Sequence, residues 1–241
     1  MSGNGIFLRA EWRNLAMLNY EVAPGLLAGF VPAGTELDQW QGKTFVSLVG
    51  FRFLKTSVRG MAIPFHRNFD EVNLRFYVRR SEGAEIRRGV VFIREIVPRW
   101  AIATMARRLY NESYIALPMD HRAESRGGSG LSVEYAWRSR SGWNRMRLSA
   151  DGEPAPAQEG SEEQFITEHY WGYTRQRDGG TVEYHVTHPQ WRVWRCANAG
   201  FFGDGAAIYG ADFGKVLARR PDSAFVAEGS AVRVFAGARI G

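Results

Sequence analysis

The stretch FDEVNLRFYVRR, residues 69–80, alternates between apolar and polar side chains in the way that a β-strand requires. Successive side chains of a strand point to opposite faces, so the apolar and the polar side chains are separated. The apolar face carries Val72, Leu74, Phe76 and Val78, and the polar face carries Glu71, Asn73, Arg75 and Tyr77. The polar face either meets water, with glutamate–arginine pairs to neighbouring strands, or lines a polar cavity. Periodicity alone leaves both interpretations open.

Similar strand-like runs recur along the chain. The predicted strands cover residues 43–54, 71–80, 89–97, 131–140, 181–188 and 225–237. Most are separated by turns rich in Gly, Ser, Pro or Asp. This spacing predicts a mainly β fold with a few short helices, in which a mostly antiparallel sheet system closes into a sandwich or barrel.

Few helices are expected. Pro98 is suited to the first position of a helix over residues 98–110, and Ser161 begins a capping box that predicts a helix over residues 161–169. A third candidate follows Pro24. The linker-like stretch at 150–160 is short enough to be a surface loop, so we predict a single domain over residues 1–241.

Composition limits the class of protein. With 45% apolar and 13% aromatic residues among 241, the chain is expected to fold around a large core. Its one cysteine, Cys196, excludes an internal disulfide framework. The sequence has neither a signal-peptide pattern nor an apolar run of membrane-spanning length. We therefore expect a soluble, cytoplasmic protein with no membrane partner.

The net charge of +6 is distributed unevenly along the chain. Residues 1–150 hold 22 Lys and Arg against 13 Asp and Glu, whereas residues 151–241 hold 9 against 12. The arginine pairs in the first part are scattered rather than clustered among exposed aromatic residues. The charge pattern therefore does not favour a nucleic-acid partner.

The sequence favours neither a metal site nor a reactive thiol. Glu183, His185 and His188 lie close together in the sequence, but no further histidine or cysteine pair offers the remaining ligands of a metal ion. We therefore expect hydrogen-bonding histidines, with no metal site and no cofactor. The thiol of Cys196 would need a base such as His188. Because Cys196 ends an apolar run, a buried, unreactive thiol is expected.

A small closed barrel would give the polar strand face a function. Every second residue of a barrel strand points inward, so this face could converge on a lumen that holds one small ligand. An inward arginine offers a planar fork to a carboxylate, and a glutamate in a partly dry pocket is suited to proton transfer.

Several segments, taken in order, resemble the YqjF-type DUF2071 family. They are residues 10–51, NFDEVNLRFYVRR (68–80), residues 87–119, EEQFITEHYWGYT (162–174) and VEYHVTHPQWRV (182–193). This family is similar in fold to acetoacetate decarboxylase, which is a double-sheet, barrel-like β structure with a buried polar pocket. The resemblance implies the same fold here, with the polar face of residues 69–80 lining the pocket.

The sequence differs from acetoacetate decarboxylases in the segments that carry their catalytic residues. In those enzymes a carboxylate comes from an aromatic-x-Glu segment, and Phe69-Asp70-Glu71 matches that segment. A second carboxylate comes from a Gly-Arg-Glu segment, and Tyr110-Asn111-Glu112 matches it in part. The enzymes' Pro-Lys-Lys segment supplies a Schiff-base lysine, but here Pro118 is followed by Met119 and Asp120. No lysine lies between residues 56 and 214. Schiff-base decarboxylation is therefore not expected.

We therefore predict a pocket for a small anionic or carbonyl metabolite. The predicted acid/base residues are Glu71 and Glu112, and the predicted ligand-binding residues are Asn73, Arg75, Tyr77, Tyr114 and His185. The alternative is a non-catalytic sensor or accessory protein that uses the same pocket or an aromatic surface formed by some of Trp171, Trp191 and Trp194. A small-molecule ligand is the expected partner, and assembly into a homo-oligomer is left open.

Overall fold

The computed structural model describes residues 5–62, 67–98, 113–126 and 130–240, most of them in β-strands. The strands are β1 (Ile6–Val22), β2 (Glu36–Leu37), β3 (Thr44–Val58), β4 (Met61–Ala62), β5 (Phe69–Glu82), β6 (Glu85–Val97), β7 (Tyr114–Ala116), β8 (Met119–Arg126), β9 (Gly130–Ser139), β10 (Gly142–Ala150), β11 (Ala155–Pro156), β12 (Trp171–Arg175), β13 (Thr181–Thr187), β14 (Arg192–Arg195), β15 (Asn198–Phe202), β16 (Ser223–Ala227), β17 (Ala231–Phe235) and β18 (Ala238–Ile240). The helices are α1 (Glu162–Thr167), α2 (Ala206–Tyr209) and α3 (Ala211–Leu217), with 3₁₀ turns at Pro24–Leu26 and Ala28–Phe30. The mainly β fold class is confirmed.

The larger sheet closes on itself to form a barrel. Strand β1 pairs with β17 on one side and with β3 on the other. From β17 the sheet continues through β13, β12, β6 and β5 to β3, which returns to β1. These pairs are antiparallel except for β12 with β6, which is parallel. The closed ring gives the sheet an inner face, as the barrel prediction requires.

A second sheet, in the order β15-β10-β9-β8, packs against the outside of the barrel. Leu74 and Phe76 of β5 share one buried cluster with Tyr135 and Trp137 of β9. The sheets approach closely at Gly50, where a Cβ atom would lie 2.6 Å from the Tyr135 ring. The apolar face of β5 therefore packs between the two sheets, which leaves its polar face to the interior of the barrel.

Most predicted strands are confirmed, but the run at 225–237 is two strands, not one. It breaks between β16 and β17 at Gly229, whose φ of 79° is left-handed and whose missing side chain lets the Trp12 carbonyl approach closely. Strand β1 was not predicted, because two register shifts in its pairing with β3 interrupt its alternation.

The three predicted helices differ in how they compare with the structure. The helix start at Ser161 is confirmed, since the Gln164 backbone amide donates to Ser161 Oγ at 3.2 Å. The Gln164 side chain accepts from the Gly160 amide at 2.7 Å instead of the Ser161 amide, so the second bond of a capping box is replaced. The stretch after Pro24 forms the two 3₁₀ turns rather than an α-helix. The predicted helix over 98–110 lies outside the described residues, apart from Pro98. Where the chain is described, none of its helices has the length and apolar character needed to cross a membrane.

Candidate functional site

A cavity of about 160 Å³ lies inside the barrel. Each barrel strand contributes to its wall, together with β7, α1 and the segment that follows β13. Much of the wall is aromatic, including Trp12, Phe51, Phe53, Phe69, Phe92 and Trp191. An apolar wall of this kind with a few polar groups is typical of small-molecule sites.

The polar face of β5 supplies three of the polar groups, namely Glu71, Asn73 and Arg75. Glu71 and Asn73 are only 3% and 1% exposed. The Asn73 amide donates to Glu71 Oε1 at 3.1 Å, and the Tyr114 hydroxyl donates to Glu71 Oε2 at 3.3 Å. These two bonds orient the carboxylate at the cavity wall.

Arg75 brings a positive charge to the same wall. Its guanidinium approaches Met17 Sδ at 4.0 Å, and its Cζ atom lies 5.8 Å from the centre of the Tyr77 ring. Within the described residues the Arg75 side chain forms no ion pair, and its Nε atom is buried without a hydrogen bond. A guanidinium in this setting has donors and charge available for an anion.

Glu95 of β6 also lines the cavity and is 1% exposed. The sequence prediction missed it for a structural reason. Val90 and Phe92, which are two residues apart, both line the cavity, and Glu95, three residues after Phe92, lines it as well. The spacing changes because the β5–β6 pairing shifts register between Leu74 and Arg75. Strict alternation would place Glu95 on the opposite face.

A second missed residue, His169, follows α1. Its Nε2 atom lies 3.1 Å from Asp38 Oδ2, which also accepts a bond of 2.6 Å from Arg88 Nε. Burial, together with repulsion from Arg88 and Arg75, lowers the pKa of His169 to about 4 despite the bond to Asp38. The imidazole is therefore neutral at pH 7 and donates from Nε2 to the carboxylate.

His188 and Trp191 form another part of the wall. Their rings stack with centres 3.9 Å apart, and Tyr170 packs against His188 at 4.8 Å. His188 Nδ1 lies 2.9 Å from the Pro189 carbonyl oxygen, to which it donates. Burial and repulsion from Arg75 lower the pKa of His188 to about 4, so this ring is also neutral at pH 7.

Two of the remaining predicted site residues, Tyr77 and His185, do not line the cavity. Tyr77 is buried behind the cavity wall, where its ring contacts His169 and its hydroxyl donates to Ser47 Oγ at 2.7 Å. His185 stacks on Trp171, which itself lines the cavity. Glu112 lies outside the described residues. The roles assigned to these three side chains stay predictions.

Glu183 and Cys196 lie in surroundings that suit structural roles. Among the described residues, no cluster of His, Cys, Asp and Glu is suited to a metal ion. Glu183 instead accepts hydrogen bonds from Arg80, Arg87 and Tyr173. Burial raises the pKa of the Cys196 thiol to about 12, which keeps it protonated and unsuited to nucleophilic attack.

Comparison with known proteins relates the chain to one family. The model of the DUF2071 family, described as an uncharacterized conserved protein, matches residues 9–231. A stretch of 77 residues is 32% identical to the uncharacterized protein YqjF of Bacillus subtilis (strain 168). That stretch covers 31% of this chain and 32% of the relative, so the match spans about a third of the relative's length.

Several solved structures are similar over almost the whole chain. Acetoacetate decarboxylase from Legionella pneumophila subsp. pneumophila str. Philadelphia 1 superposes with a TM-score of 0.69 at 12% identity, covering 98% of this chain and 87% of that one. The enduracididine biosynthesis enzyme MppR, complexed with pyruvate, superposes with a TM-score of 0.68 at 14% identity, covering 100% and 92%. At these identities the similarity shows a shared acetoacetate-decarboxylase-like fold.

Proposed function

The chain belongs to the DUF2071 family, and we propose that its barrel binds a small, planar carboxylate of the 2-oxo acid type. The observation that carries this proposal is the Arg75 guanidinium, which faces an aromatic cavity and has no ion-pair partner among the described residues. A ligand carboxylate would accept two parallel hydrogen bonds from it and compensate its charge.

The order of the polar groups along β5 supports a 2-oxo acid in particular. Residues two apart on a strand are about 7 Å apart, and Arg75, Asn73 and Glu71 follow one another at that spacing on the inner face. A carboxylate at Arg75 would bring the adjacent carbonyl oxygen towards Asn73, whose amide has a second N–H to donate. The next carbon of the ligand would then face Glu71.

Size and wall chemistry narrow the ligand class. The cavity volume of about 160 Å³ is close to the roughly 150 Å³ of an engineered apolar cavity that binds benzene. The aromatic wall suits a flat apolar substituent. The pyruvate complex of MppR, a protein of similar fold, gives a 2-oxo acid as a precedent. Phenylpyruvate and pyruvate are therefore suitable probes for the larger and smaller members of the class.

The geometry supports proton exchange as the reaction. Glu71 would take a proton from the carbon next to the carbonyl, the C–H electron pair would form the enolate C=C bond, and the carbonyl π pair would move onto oxygen. Asn73 and Arg75 would stabilise the negative oxygen. Return of a proton from Glu71 regenerates the substrate, so the cycle needs no amine and no other reactant.

A lysine-dependent route is not part of this proposal. The three lysines of the chain each form an exposed ion pair, and the pairs are Lys43 with Glu21, Lys55 with Glu11 and Lys215 with Asp212. The lack of an amine at the cavity favours a second candidate function, a sensor that binds the same acids without turnover. Both candidates require Arg75, but only the enzyme requires Glu71 as a base.

Two measurements test the proposal. Calorimetric titration with phenylpyruvate should show binding that is about 10- to 100-fold weaker in Arg75→Gln, because a charged pair of hydrogen bonds is lost. Arg75→Lys should fall between the two, since it keeps the charge without the fork. Arg140→Gln, an exposed arginine outside the barrel, is the matched control. Unchanged affinity in Arg75→Gln would overturn the proposed site.

Proton NMR in D₂O then separates enzyme from sensor. The enzyme should accelerate loss of the C3–H signal of phenylpyruvate, and Glu71→Gln should abolish the acceleration while binding remains. Tight binding without any acceleration in the unmodified protein would select the sensor. Acceleration that persists in Glu71→Gln would remove Glu71 as the base.

A further inference from the structure

The cavity inside the barrel lies next to a depression on the outer surface. Of the residues that the structure describes, His188 is the one that lines both. The rest of the depression includes Arg9, Thr187, Pro189 and Arg233. The ring of His188, which follows the end of β13, therefore stands between solvent and the cavity.

The outer depression carries positive charge. Arg9 and Arg233 are exposed and lie directly opposite each other in the β1–β17 pairing. Among the described residues neither side chain forms an ion pair. Like charges directly opposite each other on neighbouring strands destabilise a sheet, and a bound anion would relieve their repulsion. The chemistry of this depression therefore suits an anion.

The inner side of the His188 ring faces the charge that the proposed ligand needs. Arg75 lines the same cavity, and its positive charge acts on the His188 imidazole. The ring is held by stacking on Trp191 and Tyr170 and by a hydrogen bond to the next residue, Pro189. These contacts involve no carboxylate, so the ring can move aside without separating an ion pair.

We propose that the depression between Arg9 and Arg233 is the entrance of the cavity, where an anionic ligand collects before the His188 ring moves aside and admits it to Arg75. Three arginines then lie along one route, two outside the ring and one inside. The inference rests on the proposed function in one respect, the negative charge of the ligand. Attraction at an entrance changes the rate of association, and removal of a gating side chain changes both rates.

Stopped-flow tryptophan fluorescence tests the entrance, with benzoate as the anionic probe and benzyl alcohol as a neutral probe of similar shape. The double variant Arg9→Gln/Arg233→Gln should slow benzoate association about tenfold at low salt, leave benzyl alcohol unchanged, and reduce the salt dependence. The matched control is Arg138→Gln/Arg140→Gln, which removes two exposed arginines outside the barrel. His188→Ala should speed association and dissociation of both probes, because the ring no longer stands in the route.

A second measurement does not depend on ligand binding at Arg75. Iodide and acrylamide quench tryptophan fluorescence, and Trp12 and Trp191 both line the cavity. His188→Ala should increase quenching by both agents, whereas the Arg9/Arg233 double variant should reduce quenching by iodide alone. Failure of phenylpyruvate to bind in the calorimetric titration, with these quenching changes present, would overturn the proposed function and leave the entrance standing. Arg9/Arg233 variants that match the control, with His188→Ala unchanged in both measurements, would overturn the entrance.

Discussion

Two partly buried arginines on neighbouring strands, Arg87 of β6 and Arg75 of β5, have opposite surroundings. Arg87 donates to Glu183 Oε1 at 2.6 Å and to Glu85 Oε2 at 3.1 Å, and it stacks over the Trp171 ring at 4.5 Å. Arg75 faces the cavity, and among the described residues no carboxylate pairs with it. Arg87 is therefore part of the barrel's structure, while Arg75 has bonding capacity left for a ligand.

Two adjacent carboxylates of β5, Asp70 and Glu71, also differ in their surroundings, because they lie on opposite faces of the strand. Asp70 points outwards, where its oxygens lie 2.9 Å from His121 Nδ1 and 3.5 Å from Arg52 Nε. These contacts link β5 to the second sheet through His121 of β8. Glu71 points inwards to the cavity wall. The comparison shows that the outward carboxylate of β5 links the two sheets, whereas the inward one lines the cavity in which we propose that a ligand binds.

The largest expected effect comes from the outer face. Leu74 is fully buried between the two sheets. Leu74→Ala should lower the free energy of unfolding by about 2–5 kcal/mol, because it removes buried methyl groups and leaves a void. Urea denaturation measures this loss, and Leu74→Met, which keeps the volume, should cost less than about 1.5 kcal/mol. A Leu74→Ala protein as stable as the parent would contradict the packing of the second sheet on β5.

The next largest effect is a pH dependence from the inner face. The folded pKa of His169, about 4, lies below the roughly 6.5 of an unfolded histidine. The unfolded chain then binds the proton more tightly, so stability is fully present above about pH 6.5 and is lost as the pH falls towards 4. The shift corresponds to about 3 kcal/mol. His169→Asn should therefore flatten the fall in unfolding free energy over this range, measured by urea denaturation at each pH. Parallel curves for the two proteins would refute this.

A smaller loss is expected when Arg87 is replaced. Arg87→Met removes one of the donors to the buried Glu183 carboxylate, while Arg80 and Tyr173 remain. Because the Glu183 carboxylate loses one charged partner and keeps its others, the free energy of unfolding should fall by about 1–3 kcal/mol. Thermal and urea unfolding measure the loss. Arg79→Met, whose ion pair with Glu36 is exposed, is the matched control and should change stability by less than about 1 kcal/mol.

Which way the polar face of residues 69–80 points could be predicted from the sequence only in part. Alternation separated the two faces of residues 69–80, and the family resemblance predicted that the polar face lines a pocket. Tyr77 shares that face but lies behind the wall, because Phe165 of α1 and His169 pack against its ring. Local periodicity carries no information about which element covers the end of a barrel.

Other site features depend on contacts between distant parts of the chain. His169 meets Asp38 across 131 residues, and no local pattern links the two. Glu95 faces inwards because of a register shift that depends on strand pairing. Arg75 differs from the other arginines through contacts that it lacks, which only a three-dimensional arrangement reveals.

The most direct test of the account is the stability of Arg75→Met without ligand, measured beside Arg87→Met. A partly buried cation without a paired carboxylate among the described residues destabilises the empty protein, so its apolar replacement should leave the unfolding free energy unchanged or raise it by about 0.5–2 kcal/mol, while phenylpyruvate binding is lost. Arg75→Met that is destabilised as much as Arg87→Met, with binding intact, would contradict the claim that the inner face of the barrel is reserved for an anionic ligand.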